Sequence, residues 1–286
     1  MCDKVFFVGV VERAILFNDK NVNSQGQHIV QLAETEAVER KALKGNVAHV
    51  GRSLIILCYS EISAKLTQFL NFHTHNFPPP PDEKSIYNLL IQDIKRFGEV
   101  ENNWISLGIH PWYAHPEDWQ IQLAAVEQLA GHKNVLAIGE CGLDRGILLP
   151  LATQLTIFTA QVKLAEQLQK PVIIHCVRAF NELVQWQKQA KPSVPLVVHG
   201  FNNKPEIMQQ LLAHDFYFSL GAALLQPESN AVKVLKIIPL SRLFLENDDR
   251  SIPIEKIFEA AAVQLEIPIS ALKNQIWTNF ATVFNP

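Results

Sequence analysis

Six side chains of the kinds that bind metal ions stand at the ends of short apolar runs: His73, His75, Glu140, His175, His199 and Asp248. His73 and His75 flank Thr74, and in a strand residues two apart face the same side. Burying two imidazoles together otherwise requires four hydrogen-bond partners, so this spacing favours a cation. Glu140 closes the run Val135-Leu-Ala-Ile-Gly-Glu140. A carboxylate there needs a counter-charge: either a salt bridge to Arg145 or Arg178, or two cations shared between its two oxygens. His175 ends Pro-Val-Ile-Ile-His, His199 ends Pro-Leu-Val-Val-His, and Asp248 follows Leu-Phe-Leu-Glu-Asn. Converging, these groups form a two-metal site, in which cations about 3.5–4 Å apart polarise a substrate oxygen and lower the pKa of bound water. The chemistry this implies is metal-dependent hydrolysis. Rival chemistries lack their marks, since there is no Gly-rich phosphate loop, Ser-His-Asp order or Cys-x-x-Cys pair.

Such convergence needs a scaffold that brings strand ends to one rim. Eight strand-like runs are legible at 70–75, 85–90, 104–110, 135–140, 171–176, 195–200, 216–220 and 243–247. Most are continuously apolar, as in parallel strands covered on both faces. Helical patterns lie between them at 118–130, 151–169, 179–190, 205–214 and 230–237, and two more follow at 254–265 and 270–284. Eight βα units predict an α/β fold, a closed (β/α)8 TIM-type barrel of the metal-dependent hydrolase kind, over residues 69–286. The first connection departs from this rhythm: Phe77-Pro-Pro-Pro-Pro-Asp82 is stiff and too short for a full helix. Residues 1–68 are an N-terminal extension outside the alternation, with an apolar start, a polar stretch at 18–27, a helix-like run at 31–43 and an apolar run at 54–59. Two readings of this extension stand: a small element packed on the barrel, or a poorly ordered stretch translated from a misassigned start.

Composition narrows the class. The chain of 286 residues is 48% hydrophobic and 19% charged, which is globular and not disordered. A formal charge of -3 argues against a generally basic nucleic-acid coat, though not against a local basic groove. The apolar runs are too short to span a bilayer, and no cleavage pattern follows the N-terminal one, so neither membrane nor secretion is expected. Four cysteines without paired spacing favour a reducing, cytoplasmic setting.

Taken as a series, the blocks Asn71-Phe-His-Thr-His75, Gly108-Ile-His-Pro-Trp112, Ile138-Gly-Glu-Cys-Gly-Leu-Asp144, Pro171-Val-Ile-Ile-His-Cys176, Val198-His-Gly-Phe201 and Leu245-Glu-Asn-Asp248 resemble the TatD family of metal-dependent deoxyribonucleases. The resemblance runs from about residue 70 to the Asn279-Phe280 and Val283-Phe284 of the last helix. It implies an amidohydrolase-type barrel holding two divalent ions (Zn, Mg or Mn). His73, His75 and Asp248 would hold one, His175 and His199 the other, with Glu140 bridging. Asp248 would also deprotonate the attacking water, making Asp248 and Glu140 the catalytic pair. DNA or another phosphodiester is the implied partner. Three residues are substrate-contact candidates, His110, Trp112 and Arg178. Two readings stand for the pair after the third strand: the imidazole contacts a phosphate and the indole stacks on a base, or Pro111-Trp112 caps the barrel as packing. Two departures stand out. The family's usual Glu-Thr-Asp is Glu246-Asn247-Asp248 here, and where an Arg commonly follows the fifth-strand His by two residues, this chain has Val177 and then Arg178. The same site on other loops would suit a cyclic amide, a lactone or an aminoacyl ester, and a non-catalytic metal-stabilised barrel is a further reading. Asp144 reads either as a support for the metal ligands or as a loop salt bridge to Arg145. Cys141 and Cys176 read as small buried hydrophobes.

Overall fold

The structure is a computed structural model that describes residues 68–284, together with the backbone of three short strands nearer the N-terminus. The chain divides into two compact units, Met1–Ala64 and Lys65–Pro286. In the first, Val5–Phe6, Arg13–Leu16 and Gln31–Glu34 form an antiparallel sheet in that order. The helix-like run expected at 31–43 therefore opens as strand. Its first four residues pair with Arg13–Leu16 in register, and ladder hydrogen bonds override a local helical pattern. The polar stretch, the apolar run at 54–59 and the order of the extension lie outside the described residues.

In the second unit all eight expected strands are present. They are β1 (Phe69–Thr74), β2 (Glu83–Leu90), β3 (Trp104–Gly108), β4 (Val135–Asp144), β5 (Val172–Val177), β6 (Leu196–Val198), β7 (Tyr217–Leu220) and β8 (Leu243–Leu245). Each pairs in parallel with its sequence neighbours. The seam between β8 and β1 is stitched just past β8. Thr74 bridges Asp248, His75 N donates to Asp248 O at 3.0 Å, and Asp248 N donates to His73 O at 3.1 Å. Below it the Asn71 amide donates to Asn247 Oδ1 at 2.8 Å and to Glu83 Oε1 at 2.8 Å. The result is a near-closed barrel, so the strand ends share one rim.

The helices are α1 (Phe97–Val100), α2 (Trp119–Ala130), α3 (Leu151–Leu168), α4 (Phe180–Ala190), α5 (Pro205–Leu212), α6 (Asn230–Leu235), α7 (Ile254–Leu265) and α8 (Ile269–Phe284). No helix separates β1 from β2, as the proline-rich connection implies. The C-terminal helix supplies apolar cover there instead: Phe280 stacks on Trp104 at 4.7 Å between centroids, and Phe284 meets Phe72 at 6.1 Å. Trp277 Nε1 donates to Gln68 O at 3.2 Å, pinning that helix to the start of β1. No described helix is long and apolar enough to cross a membrane.

β4 differs most from expectation. It continues four residues past Glu140, with a register irregularity against β5 between Ile138 and Cys141. Its glycines make this approach possible. Gly142 has φ +150, and a Cβ there would lie 2.0 Å from His175 O. Only a residue with no side chain brings β4 so close to the strand carrying His175.

Candidate metal centre

The rim gathers all six sequence-predicted groups around one carboxylate. Glu140 Oε2 lies 3.4 Å from Nε2 of both His73 and His75. Its other oxygen, Oε1, lies 2.6 Å from His199 Nε2, 3.0 Å from His175 Nδ1 and 3.2 Å from His110 Nε2. Asp248 Oδ1 closes the first group, 3.7 Å from His73 Nε2 and 3.5 Å from His75 Nε2. The two oxygens of Glu140 thus face different imidazole sets. His73 and His75 meet at the same oxygen because they share a face of β1, as their spacing requires. Neither Arg145 nor Arg178 pairs with Glu140, which excludes the salt-bridge alternative. Arg145 instead pairs with Glu182, and its Nε donates to Arg178 O at 3.0 Å.

Electrostatics in the cluster follow from burial set against these contacts. Burial alone would raise the Glu140 carboxyl, but His199 above all, with His110 and His175, holds it well below the ordinary carboxylate range. Burial depresses His199, yet Glu140 and Glu246 overcome this and push the imidazole well above its usual value. His75 is likewise raised by Glu140 and Asp248 against burial, whereas burial wins at His110 and lowers it. A cluster that draws positive charge this strongly has the polarity a cation requires.

Whether the donors fit a metal is tested by the polar atoms left over. Both nitrogens of the fully buried His73 lack a hydrogen-bond partner. Buried imidazole nitrogens without partners are costly unless something else ligates them. The outer nitrogens of the second pair are backed by carboxylates: His175 Nε2 lies 3.4 Å from Asp144 Oδ2, and His199 Nδ1 lies 3.3 Å from Glu246 Oε1. Carboxylate-backed imidazoles are the usual way of orienting metal-binding histidines. Among the described residues, three combinations have mutually close donor atoms: His73, His75 and Glu140; His73, His199 and Asp248; His110, Glu140 and His175.

Of the substrate contacts expected from sequence, His110 sits closer in than foreseen, directly against Glu140. Trp112 is exposed, and its indole donates to Asp144 Oδ2 at 2.6 Å. Arg178 is exposed at φ +51 and makes no contact with the cluster.

Several supporting residues escaped sequence reasoning. Asn88 on β2 accepts Glu140 N at 2.9 Å and donates to Glu140 Oε2 at 3.3 Å, holding both main chain and carboxylate. Glu246, fully buried, accepts Gly200 N at 2.6 Å besides its contact with His199. On α3, Gln161 clamps Ile109 through N and O, while Gln154 does the same for Asp144. The legible signal was a pair of glutamines seven residues apart on the buried face of that helix, two turns along one stripe.

A parallel barrel with imidazoles and carboxylates crowded at the rim belongs to the metal-dependent hydrolase kind of TIM barrel. Within that class the placement is specific. The chain belongs to the TatD related DNase family, whose model matches residues 86–285. It is 33% identical over 151 residues to the 3'-5' ssDNA/RNA exonuclease TatD of Erwinia billingiae, covering 51% of this chain and 57% of that protein. Similarity to the deoxyribonuclease Tat-D of Schizosaccharomyces pombe is 30% over 156 residues, half of each chain. The chain thus matches about half the length of the curated relatives. Among solved structures, the TatD homologue YjjV of Escherichia coli K12 has a TM-score of 0.67 at 22% identity, covering 77% of this chain and 99% of that one. A TatD family hydrolase from Entamoeba histolytica has a TM-score of 0.63 at 18% identity, with 77% and 99% covered. These last two likenesses are of fold.

Proposed function

We propose that the barrel, residues 69–286, is a divalent-metal-dependent phosphodiesterase acting on nucleic acid, with DNA the foremost substrate. The observation that carries this is Glu140, whose two oxygens address two separate imidazole sets. In this reading His73, His75 and Asp248 would hold one cation and His175 and His199 a second, with Glu140 available to both. Two such cations supply Lewis-acid polarisation of a phosphate and a lowered pKa for water. Imidazole-rich ligation suits Zn²⁺ or Mn²⁺ better than Mg²⁺.

The protein's own groups do the rest. Asp248, half-buried at the rim beside His73 and His75, accepts the proton of the attacking water. Asn88 holds Glu140 at two points, so its carboxylate stays directed at both imidazole sets. His110, whose Nδ1 accepts Trp112 N at 3.1 Å and whose Nε2 lies 3.2 Å from Glu140 Oε1, steadies the Glu140 carboxylate and the start of the Trp112 turn. Arg178 supplies positive charge at the rim. Asn247 leaves Asp248 in place despite the departure from the family pattern, because it is itself tied to Asn71. Burial pushes up the thiols of Cys141 and Cys176, so neither competes as a metal ligand or nucleophile in this reading.

Purified protein incubated with labelled single- and double-stranded oligonucleotides and Mg²⁺, Mn²⁺ or Zn²⁺ tests this reading. Metal-dependent shortening is expected. Folded protein that cleaves neither substrate with any metal, while opening a lactone or cyclic amide, would replace the phosphodiester reading.

A further inference from the structure

The rim carries one large aromatic side chain that is exposed and yet fixed. Trp112 is 59% exposed, although tryptophan is highly buried on average. Its indole Nε1 donates to Asp144 Oδ2 at 2.6 Å, a short, side-chain-to-carboxylate bond. The ring stands nearly perpendicular to two imidazoles, those of His110 at 5.1 Å and His175 at 6.0 Å. With only two side-chain torsions, a tryptophan held by one such bond presents a rigid ring at low entropic cost. A flat, fixed, solvent-facing ring beside a hydrolytic centre has an evident use when a base lies on it.

The anchor is itself anchored. Asp144 Oδ1 accepts Gly146 N at 2.7 Å, and its peptide is clamped by Gln154 at 2.7 and 2.9 Å. The oxygen that takes the indole proton is also the one nearest His175 Nε2, at 3.4 Å. Across that ring, His175 Nδ1 faces Glu140. One carboxylate oxygen therefore connects an exposed indole to an imidazole of the metal centre.

We propose that Trp112 is a stacking platform for a nucleobase, and that Asp144 is the positioning residue that sets this platform and the His175 imidazole relative to each other. The inference rests on the nuclease reading and names the feature of the substrate that the rim selects. A stacking platform accepts any base, because every base has a π-face. The site then prefers strands with unpaired bases near the scissile bond over backbone alone.

The isosteric change Asp144→Asn probes the shared oxygen. An amide has one acceptor oxygen, whereas Trp112 and Gly146 each present an N–H, so one donor is left facing an NH₂ group. Fluorescence anisotropy would compare two single-stranded oligonucleotides of equal length, one fully base-bearing and one abasic at both ends. Titration calorimetry with Mn²⁺ or Zn²⁺ would follow the cations, and thermal melts would confirm folding. The wild type is expected to bind the base-bearing strand about tenfold more tightly, within the range of aromatic–base stacking. Trp112→Ala should bring that ratio close to one. Trp112→Phe, which keeps a ring but loses the anchoring donor, should fall between. Asp144→Asn should shrink the ratio and also weaken one cation by about 10- to 100-fold, an effect that loss of a platform alone does not produce. A wild-type ratio of one overturns the proposal, as does an Asp144→Asn protein with unchanged ratio and unchanged cation binding. Turnover of the same strands separates the two claims. Base discrimination without cleavage sinks the nuclease reading and keeps the platform, while cleavage without discrimination does the reverse.

Discussion

Replacing Glu140 by Gln changes one charge and almost no volume, and the geometry around it predicts an asymmetric result. Asn88 Nδ2 donates to Oε2 and Asn88 Oδ1 accepts the Glu140 main-chain N–H. A glutamine would keep its single carbonyl oxygen opposite the Asn88 donor, on the side of His73 and His75. Its NH₂ group would then occupy the place of Oε1, facing His199, His175 and His110, now 2.6 to 3.2 Å away. Under the proposed two-cation reading, the first cation would keep three ligands and a neutral oxygen, and the second would lose its anionic donor. Removing one partner of a buried charged contact costs about 3–5 kcal/mol, equivalent to roughly 10²- to 10⁴-fold in affinity. Protein passed through a desalting column should retain about one ion in place of two, measured by elemental analysis. Phosphodiester turnover should fall at least about 10²-fold, the usual worth of a preorganised electrostatic contact. Two ions retained with turnover within tenfold of wild type would refute the argument, and loss of both ions equally would refute the asymmetry drawn from Asn88.

Other consequences follow from the same geometry. Asp248→Asn should abolish nearly all hydrolysis, by about 10²- to 10⁴-fold, while the melting temperature moves by only a few degrees. Acidification should release metal: Glu140 and its neighbours hold His199 and His75 protonated above the usual imidazole range, so protons compete with cations from above pH ~6.5 downward. In metal-free protein the sign for stability is the opposite. A raised folded pKa contributes stability present below about pH 6.5 and lost as pH rises through the folded value, so melting with chelator present should fall on going alkaline. Gly142→Ala, with its Cβ driven into His175 O at φ +150, should cost about 3 kcal/mol or more in denaturant unfolding.

The chain's linear pattern determined a good deal. Eight apolar runs alternating with amphipathic segments left a parallel barrel as the consistent arrangement, and the His-x-His spacing assigned both imidazoles to one face. All six metal-type residues were legible because each interrupts an apolar run with a group that burial penalises. The gap after β1 was legible too, since four prolines in a row cannot form a helix. What filled that gap was not: α8 lies about 200 residues away in sequence, and its aromatic face has no local marker of where it docks. The strand at Gln31–Glu34 was misjudged for the same reason, since its partner ladder sits elsewhere in the chain.

Only the tertiary structure decided how the groups face one another. That Glu140 turns one oxygen to each imidazole set, that Asn88 holds it there, and that Asp144 serves an indole and a histidine together are relations between residues far apart in the chain, 31 positions from Asp144 to His175 and 67 from Glu140 back to His73. Hydrogen-bond direction depends on position to within a few tenths of an ångström, and residue type alone carries no such information. Composition and periodicity fix which side chains must be buried near the rim. The closed sheet fixes their angles, and chemistry at a metal centre depends on angles.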